Sequence, residues 1–323
     1  MELPLKFPVT QEMVGNLLDD GDTLQQAIKN GRVYLVDYEI LDDIPQYGTL
    51  NRKLERRYTC PALGLFYVRS NGDIMPIAIQ LQQQPSDQNP IWTPNDLELD
   101  WIYAKMLLRN ADAQCHQMIS HLLRTHLFME PIAVATRRQL PSLHPLWKLL
   151  SPHLRGTLAI NTFGRHVFIT CRGVGKRGVH DADKLPGFHY RDDALRVWKA
   201  IKEYITDILK VYYHSDDDIK QDTELQAWIG DLHDNGYPAR GAENSHGFPS
   251  SVTSLEQLAH ILTMVIFTCS SQHAAVNFSQ LDAYGFQPHT PSLMRQLPPK
   301  TKGLVNEEHI MNSLPTAFRL ELP

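Results

Sequence analysis

The sequence predicts a mostly α-helical protein with a few short β-strands in its first third, and two observations support this. Apolar residues recur at helical spacing through residues 96–126, 192–213 and 254–280, as expected of helices that bury one face. Between residues 33 and 81, short runs rich in β-branched and aromatic residues favour strands instead. Helix therefore dominates, and we expect one mostly α domain.

The strand-like runs are residues 33–38, 65–68 and 75–81. The polar residues 70–73, with sequence Ser-Asn-Gly-Asp, predict a turn between the second and third runs, because Asn and Gly accept the backbone angles of tight turns. Residues 82–94 are rich in Gln, Pro and Asn, which is typical of a surface loop.

The first long helix is predicted from Asp96 to beyond His126, with Leu97, Trp101 and Leu107 on its apolar stripe. Prolines then break the chain into short helices or turns. The second long helix, residues 192–213, carries an apolar stripe. This stripe comprises Leu195, Trp198, Ile201, Ile205 and Leu209.

Three further helices follow. Residues 223–232 form a short one, and Ser254 with Gln257 forms a capping-box pattern that opens another. The Pro-rich end of the chain favours helix only at residues 307–314.

Composition excludes several classes of protein. Lys and Arg total 31 against 36 Asp and Glu, a net charge of −5, so the basic surface of a nucleic-acid-binding protein is missing. The four cysteines form no CxxC pair, which favours a reduced, cytoplasmic protein. The first residues do not resemble a secretory signal. The apolar stretch 261–269 is shorter than the ~20 residues of a membrane span and predicts a buried helix.

Five histidines form one array in the middle of the chain: His116, His121, His126, His144 and His153. The first three are five residues apart on a predicted helix, and such residues lie ~140° apart around an α-helix. A π-type turn, which closes from residue i to i+5, would bring them onto one face. The spacing therefore indicates either no metal pair or a pair on a distorted helix.

A second candidate pair is His273 and Asn277, which share one face of an ordinary helix. Their neighbours are apolar, and a buried imidazole or amide needs a partner, of which a metal is one. Three imidazoles and an amide oxygen suit iron, zinc, copper or nickel. The absence of thiolate ligands argues against structural zinc.

Several segments resemble the signature of animal lipoxygenases. They are residues 121–127, 138–145, 159–162 and 190–198, with residues 267–278 similar to the second iron-ligand segment, and residues 75–81 and 247–249 matching as well. The similarity covers nearly the whole chain.

The resemblance implies a helical catalytic domain that holds one non-haem iron per chain. Its substrates would be O₂ and a polyunsaturated fatty acid with a cis,cis-1,4-pentadiene, and its product a hydroperoxide of the kind found in arachidonate and oxylipin metabolism. The resemblance also allows peripheral contact with membranes, and it implies no specific protein partner.

Carried over by position, the resemblance makes His121, His126, His273 and Asn277 the iron ligands. Gln117 and Gln280 match glutamines that orient the ligands and link the metal to the substrate pocket.

Other residues receive roles from the same resemblance. Leu122 and Leu127 would face the fatty-acid channel. His116, His144 and His153 belong to the signature without binding iron, and we expect structural roles for them.

We expect residues 1–323 to be a partial iron-binding catalytic domain. The family has an N-terminal lipid-binding β-barrel domain, an internal Gly-rich segment, and C-terminal helices ending in an isoleucine whose carboxylate binds the iron. We expect this chain to lack all three. The alternative to an enzyme is therefore a catalytically inactive, truncated fragment that at most binds lipid or a partner.

Two further patterns are weak indications of a ligand site, and an ordinary structural explanation is preferred for each. Gly173, Gly175 and Gly178 fit a G-x-G-x-x-G dinucleotide motif, but a loop-like sequence follows where that motif needs a helix, so we expect a turn. The run of aspartates at residues 216–218 could indicate a calcium site, but the segment lacks the Gly and Glu of an EF-hand loop. We therefore expect a solvated run of charges.

Overall fold

The computed structural model describes residues 2–44, 47–50, 53–168, 188–238 and 248–315, with side chains outside residues 47–56 and 163–168. Its described residues group into two compact units. The first contains the residues up to Gln117 and those from Gln280 onward, and the second lies between Met118 and Ser279. The predicted Gly motif at residues 173–178 lies outside the described residues.

The strands are β1 (Val33–Asp37), β2 (Tyr47–Leu50), β3 (Lys53–Arg56), β4 (Leu63–Val68) and β5 (Ile74–Gln80). The first seven α-helices are α1 (Gln11–Val14), α2 (Leu24–Lys29), α3 (Glu98–Cys115), α4 (Phe128–Gln139), α5 (Pro145–Leu150), α6 (Thr157–Phe168) and α7 (His189–Tyr212). The others are α8 (Asp216–Gln221), α9 (Thr223–Asp231), α10 (Leu255–Phe267), α11 (His273–Asn277), α12 (Gln280–Tyr284) and α13 (Glu307–Ser313). Three segments have π-helical geometry: π1 (His116–Leu127), π2 (Leu232–Gly236) and π3 (Thr268–Gln272).

In the first unit, β1, β4 and β5 form an antiparallel sheet in the order β1-β4-β5. Leu65 lies opposite Leu35 on one side and Ala78 on the other. The three predicted strands are confirmed, and so is the turn at residues 70–73, where Gly72 has a φ of +91° that favours glycine. The β2–β3 hairpin was not predicted.

Helix α3 buries Tyr103, Ala104 and Leu107. Leu97 differs from the prediction, because it precedes the first turn and its side chain is 64% exposed. The helix is tied to the C-terminal segment of the same unit. The Tyr103 hydroxyl donates to Ser313 Oγ at 2.9 Å, and the Asp100 carboxylate accepts from the backbone N–H of Val305 at 3.2 Å.

In the second unit, the core is formed by α4, α5, α7, α9 and α10. Trp228, fully buried, donates from Nε1 to Thr136 Oγ1 at 3.2 Å. The predicted cap of α10 is confirmed, since Ser254 Oγ accepts from the backbone N–H of Gln257 at 3.2 Å. The Gln257 side chain in turn accepts from the N–H of Thr253.

Only part of the apolar stripe predicted for α7 is buried. Ile205 and Leu209 are buried, but Leu195, near the start of the helix, is 52% exposed. Asp216 to Asp218 form the first turn of α8, where Ser215 and Asp218 make a capping box. The acidic run is therefore accounted for by helix capping, which favours negative charge at a helix start.

The run Leu255–Tyr284 is long and apolar enough to cross a membrane by length and composition alone, with a mean hydropathy of 1.2. The core helix of a folded domain passes the same test. Seven of the 13 residues of α10, which begins this run, are buried, as predicted for residues 261–269.

Candidate metal centre

The segment π1 carries His121 and His126. In a π-helix the backbone bonds close from residue i to i+5, so these two side chains lie on one face. Thr125, which is buried, donates its hydroxyl to the carbonyl of His121 within the widened turn. Of the two alternatives that the spacing left open, the structure has the distorted helix.

A third histidine, His273, reaches the same point from the beginning of α11, directly after π3. The Nε2 atoms of the three rings form a small triangle. Its edges are 3.2 Å from His126 to His121, 3.3 Å from His121 to His273, and 3.0 Å from His273 to His126. Residues from π1 and α11 therefore converge although about 150 positions separate them in the chain.

This triangle has the dimensions of a metal site. Nitrogen ligands about 2.1 Å from a metal lie about 3.0 Å apart at a right angle and about 3.4 Å apart in a tetrahedron. The three Nε2 separations fall within these limits, and the histidines form one of two metal-capable groups among the described residues. The three imidazoles fit a metal that accepts neutral nitrogen ligands.

The protonation states of two of the three imidazoles also suit metal binding. Burial lowers the pKa of His126, and the neighbouring His273 lowers it further. Burial likewise lowers the pKa of His273. Both rings are therefore held in the neutral form, which is the form that binds metals. Burial raises the pKa of the nearby Cys269 thiol to about 12, so this thiol is protonated at neutral pH.

Asn277, the fourth predicted ligand, lies half-buried on α11, one helical turn after His273. Its side chain makes no hydrogen bond to the described residues. Its ligand role stays a prediction, since no contact with the three rings fixes it.

The two predicted glutamines are hydrogen-bonded to each other in the first unit. Gln117 Nε2 donates to Gln280 Oε1 at 3.0 Å, and both side chains are half-buried. Next to them, the Tyr284 hydroxyl lies 2.7 Å from His116 Nδ1. The structure thus pairs the two glutamines, whose part in orienting ligands remains a prediction.

Cavities lie among the described residues of the second unit. One, of about 140 Å³, is lined by His126 and His273 together with His153, Thr268 and Cys269. Another, of about 770 Å³, is mainly apolar and shares Thr268 with it.

The two predicted channel residues, Leu122 and Leu127, line neither of the two cavities that share Thr268. Leu127 lines a third cavity of about 280 Å³, beside Pro131 and Arg138. Leu122, half-buried, lines none of these three cavities. The channel role of both leucines stays a prediction.

The second metal-capable group contains His144, Asp222 and Glu224. Here His144 is the N-cap of α5, since its Nδ1 accepts from the N–H of Leu146 at 3.1 Å, and its Nε2 lies 3.1 Å from Asp222 Oδ2. Both ring nitrogens thus have protein partners, as expected of a structural histidine.

Burial alone would raise the pKa of Asp222. Hydrogen bonds from His144, from the Tyr213 hydroxyl at 2.6 Å and from the N–H of Leu225 outweigh burial and lower this pKa to about 2. Asp222 is thus held as a carboxylate that also caps α9.

Sequence reasoning gave no site role to Asn161, which the structure places against the backbone of His126 in this histidine cluster. Asn161 Nδ2 donates to the backbone carbonyl of His126 at 2.7 Å. The available signal was that Asn161 lies in residues 159–162, one of the segments that resemble the lipoxygenase signature.

The fold and this site define a helical protein with a cluster of three histidines that could hold a metal. The chain matches the family model described as Lipoxygenase over residues 4–185 and 182–321. A calcium-dependent 11R-lipoxygenase structure superimposes with a TM-score of 0.89 at 48% identity, covering 97% of this chain and 50% of that one. A coral 8R-lipoxygenase structure gives 0.84 at 42% identity, with 97% and 51% covered.

Curated relatives agree. The allene oxide synthase-lipoxygenase protein of Plexaura homomalla is 42% identical over 97% of this chain and 34% of its own length. The polyunsaturated fatty acid lipoxygenase ALOX15B of Rattus norvegicus is 39% identical, with 97% and 50% covered. The chain belongs to the lipoxygenase family. It spans half or less of the length of these relatives.

Proposed function

We propose that this chain carries the iron site of a lipoxygenase, a non-haem iron dioxygenase that inserts O₂ into polyunsaturated fatty acids with a cis,cis-1,4-pentadiene to give hydroperoxides. The observation that supports it most directly is the Nε2 triangle of His121, His126 and His273. Asn277 would add an amide oxygen from the same helix as His273.

The iron, its ligands and the two glutamines would each have a distinct role in the reaction. When bound, the iron supplies the one-electron acceptor that cleavage of a weak bis-allylic C–H bond needs. The three neutral imidazoles would hold it without the negative charge of thiolates, which would make it a stronger electron acceptor. Gln117 and Gln280 would orient the ligands. No acid–base pair is required of the chain.

The substrate needs an apolar cavity, and the cavity of about 770 Å³ is the best candidate for the acyl chain. Phe128, Ile261 and Met264 give it apolar walls, while Arg124 and Lys202 supply cations for a carboxylate. Thr268 lines both this cavity and the one beside His126 and His273, so the two lie next to each other. Binding the fatty acid there would fix which pentadiene approaches the metal.

We propose further that residues 1–323 form part of a catalytic domain, that the protein works in the cytoplasm, and that it contacts membranes only peripherally.

The relatives' names support the proposed substrate class. Two of these relatives are called a polyunsaturated fatty acid lipoxygenase and an arachidonate 12-lipoxygenase.

A second candidate is an inactive fragment that binds lipid or a partner. It is favoured by the exposed apolar residues of α7, which include Leu195, Val197 and Val211. Large exposed apolar surfaces often mark sites that another molecule covers.

Elemental analysis of iron in the purified, folded chain separates the two candidates. We expect near-stoichiometric iron in the natural sequence and its loss in His121→Ala. The matched control is His214→Ala, which removes an exposed histidine of the same unit and should retain the iron. Iron-loaded protein should then consume O₂ with linoleate or arachidonate. Well-folded protein without iron would overturn the enzyme proposal and favour the second candidate.

A further inference from the structure

A proline follows the step from π1 into α4. Pro131 lies inside α4 and has no N–H, so the carbonyl of Leu127, four residues before it, cannot receive its α-helical hydrogen bond. The backbone directly after His126, a member of the histidine triangle, is therefore one hydrogen bond short of a regular helix.

Asn161 on α6 adds a hydrogen bond beside this gap. Its side chain is almost completely buried, and Nδ2 donates to the His126 carbonyl at 2.7 Å. The same Nδ2 donates to Glu130 Oε2, at the beginning of α4, at 2.9 Å. Both hydrogens of the amide are thus used on residues flanking the junction.

The orientation of this amide has a cost. Asn161 Oδ1 is buried and has no hydrogen-bond partner among the described residues. Turning the amide over would place Oδ1 against a carbonyl and a carboxylate, which are themselves acceptors. The side chain therefore keeps a buried acceptor unsatisfied, at an expense in free energy, in order to donate to His126 and Glu130.

We infer that Asn161 is a positioning residue of the candidate metal centre: by donating to the carbonyl of His126, next to the carbonyl of Leu127 that Pro131 leaves without its helical donor, it holds the His126 backbone so that the imidazole stays in the triangle. This inference rests on the proposed function, because it concerns a site that would hold iron. The Asn161 side chain acts through the His126 backbone and donates no hydrogen bond to the ring.

The test compares four forms of the full chain by titration with Co²⁺, a spectroscopic probe for nitrogen-ligand sites. Asn161→Leu keeps the branched shape but loses both donors, and we expect Co²⁺ affinity to fall about tenfold, as for other groups that hold a ligand in place. The absorption spectrum of the bound Co²⁺ should change as well. Thr162→Val is the matched control, because its hydroxyl bonds to the Leu158 carbonyl within α6.

Substitution of Pro131 tests whether the metal affinity of Asn161→Leu can be restored. Asn161→Leu combined with Pro131→Ala restores an N–H at residue 131 that can bond the carbonyl of Leu127, and we expect the firmer backbone beside His126 to return part of the affinity and the original spectrum. Alanine keeps the Cβ that packs closely against Gly236. If Asn161→Leu does not fold, Asn161→Ala, which removes both donors and adds no bulk, replaces it in both backgrounds.

A metal-free measurement keeps this inference separate from the proposed function. Amide hydrogen exchange in residues 117–130 should be faster in metal-free Asn161→Leu than in the natural sequence, and slower again after Pro131→Ala. If the natural chain binds neither iron nor Co²⁺, the proposed function fails and the exchange data decide on Asn161. Unchanged exchange, or affinity lost without rescue, would overturn the positioning role.

Discussion

Two histidine clusters in the second unit have the composition of metal sites, and they differ in what their ring nitrogens face. In the first cluster, the Nε2 atoms of His121, His126 and His273 face one another at 3.0–3.3 Å. In the second, His144 accepts from a backbone N–H with Nδ1 and pairs with Asp222 through Nε2. Composition alone does not separate them, whereas the partners of each nitrogen do.

The difference has a physical cause. A metal needs several lone pairs at one point, which the first cluster offers. In the second cluster the protein's own N–H and O–H groups already satisfy the imidazole and the carboxylate, so a metal would have to break those bonds. We therefore assign metal binding to the first cluster and stability to the second.

The largest effect should come from the second cluster. Asp222→Ala removes the partner of His144 and Tyr213 and the cap of α9, and we expect the free energy of unfolding at pH 7 to fall by about 3 kcal/mol. Urea unfolding measures this. Asp217→Ala is the control, because its exposed pair with Lys220 should contribute less than about 1 kcal/mol. Loss of iron in folded Asp222→Ala would break the division between the clusters.

The same carboxylate gives a pH dependence with a definite sign. The pKa of Asp222 is about 2 in the folded chain and about 3.9 when unfolded. Its contribution is therefore fully present above about pH 5 and is lost as the pH falls toward 2. The difference in stability between the natural sequence and Asp222→Asn should shrink over this range. A constant difference would mean that the charged form is not what the hydrogen bonds stabilise.

The next effect should come from the first cluster through binding. Fe²⁺ added without O₂, at a hundredfold excess over its Kd, should raise the free energy of unfolding by about 2.7 kcal/mol. His273→Ala should abolish this increase. His144→Ala should lower the basal stability and keep the increase, as thermal unfolding with and without Fe²⁺ would show. The opposite result for the two variants would reverse our assignment.

The smallest effect should come from Tyr213→Phe. Burial, together with Asp222, raises the pKa of Tyr213 far above its usual range, so its hydroxyl stays protonated and donates to the carboxylate. Losing this bond to a charged acceptor should cost about 1.5 kcal/mol in urea unfolding. Tyr212→Phe, at an exposed neighbouring tyrosine, should cost close to nothing. Equal effects of the two variants would show that the bond adds little.

Local patterns predicted most of the secondary structure. The strands β1, β4 and β5, the cap at Ser254 and helix α13 agree with the sequence because alternation, helical spacing and capping act over a few residues. The predictions were wrong where burial depends on distant segments. Leu97 and Leu195 fit apolar stripes yet are exposed, because a stripe does not specify how far along a helix its neighbours extend.

The sequence by itself determined the family and the histidines worth testing, because residue identity and spacing carry that information directly. Only the tertiary structure decided that π1 is π-helical, that His273 meets His121 and His126, and that His144 is paired with Asp222 instead. Nor does spacing show that Asn161 donates to His126. The physical reason is that these contacts join residues that are distant along the chain. Which partner satisfies a buried polar group depends on what the fold brings within about 3 Å of it.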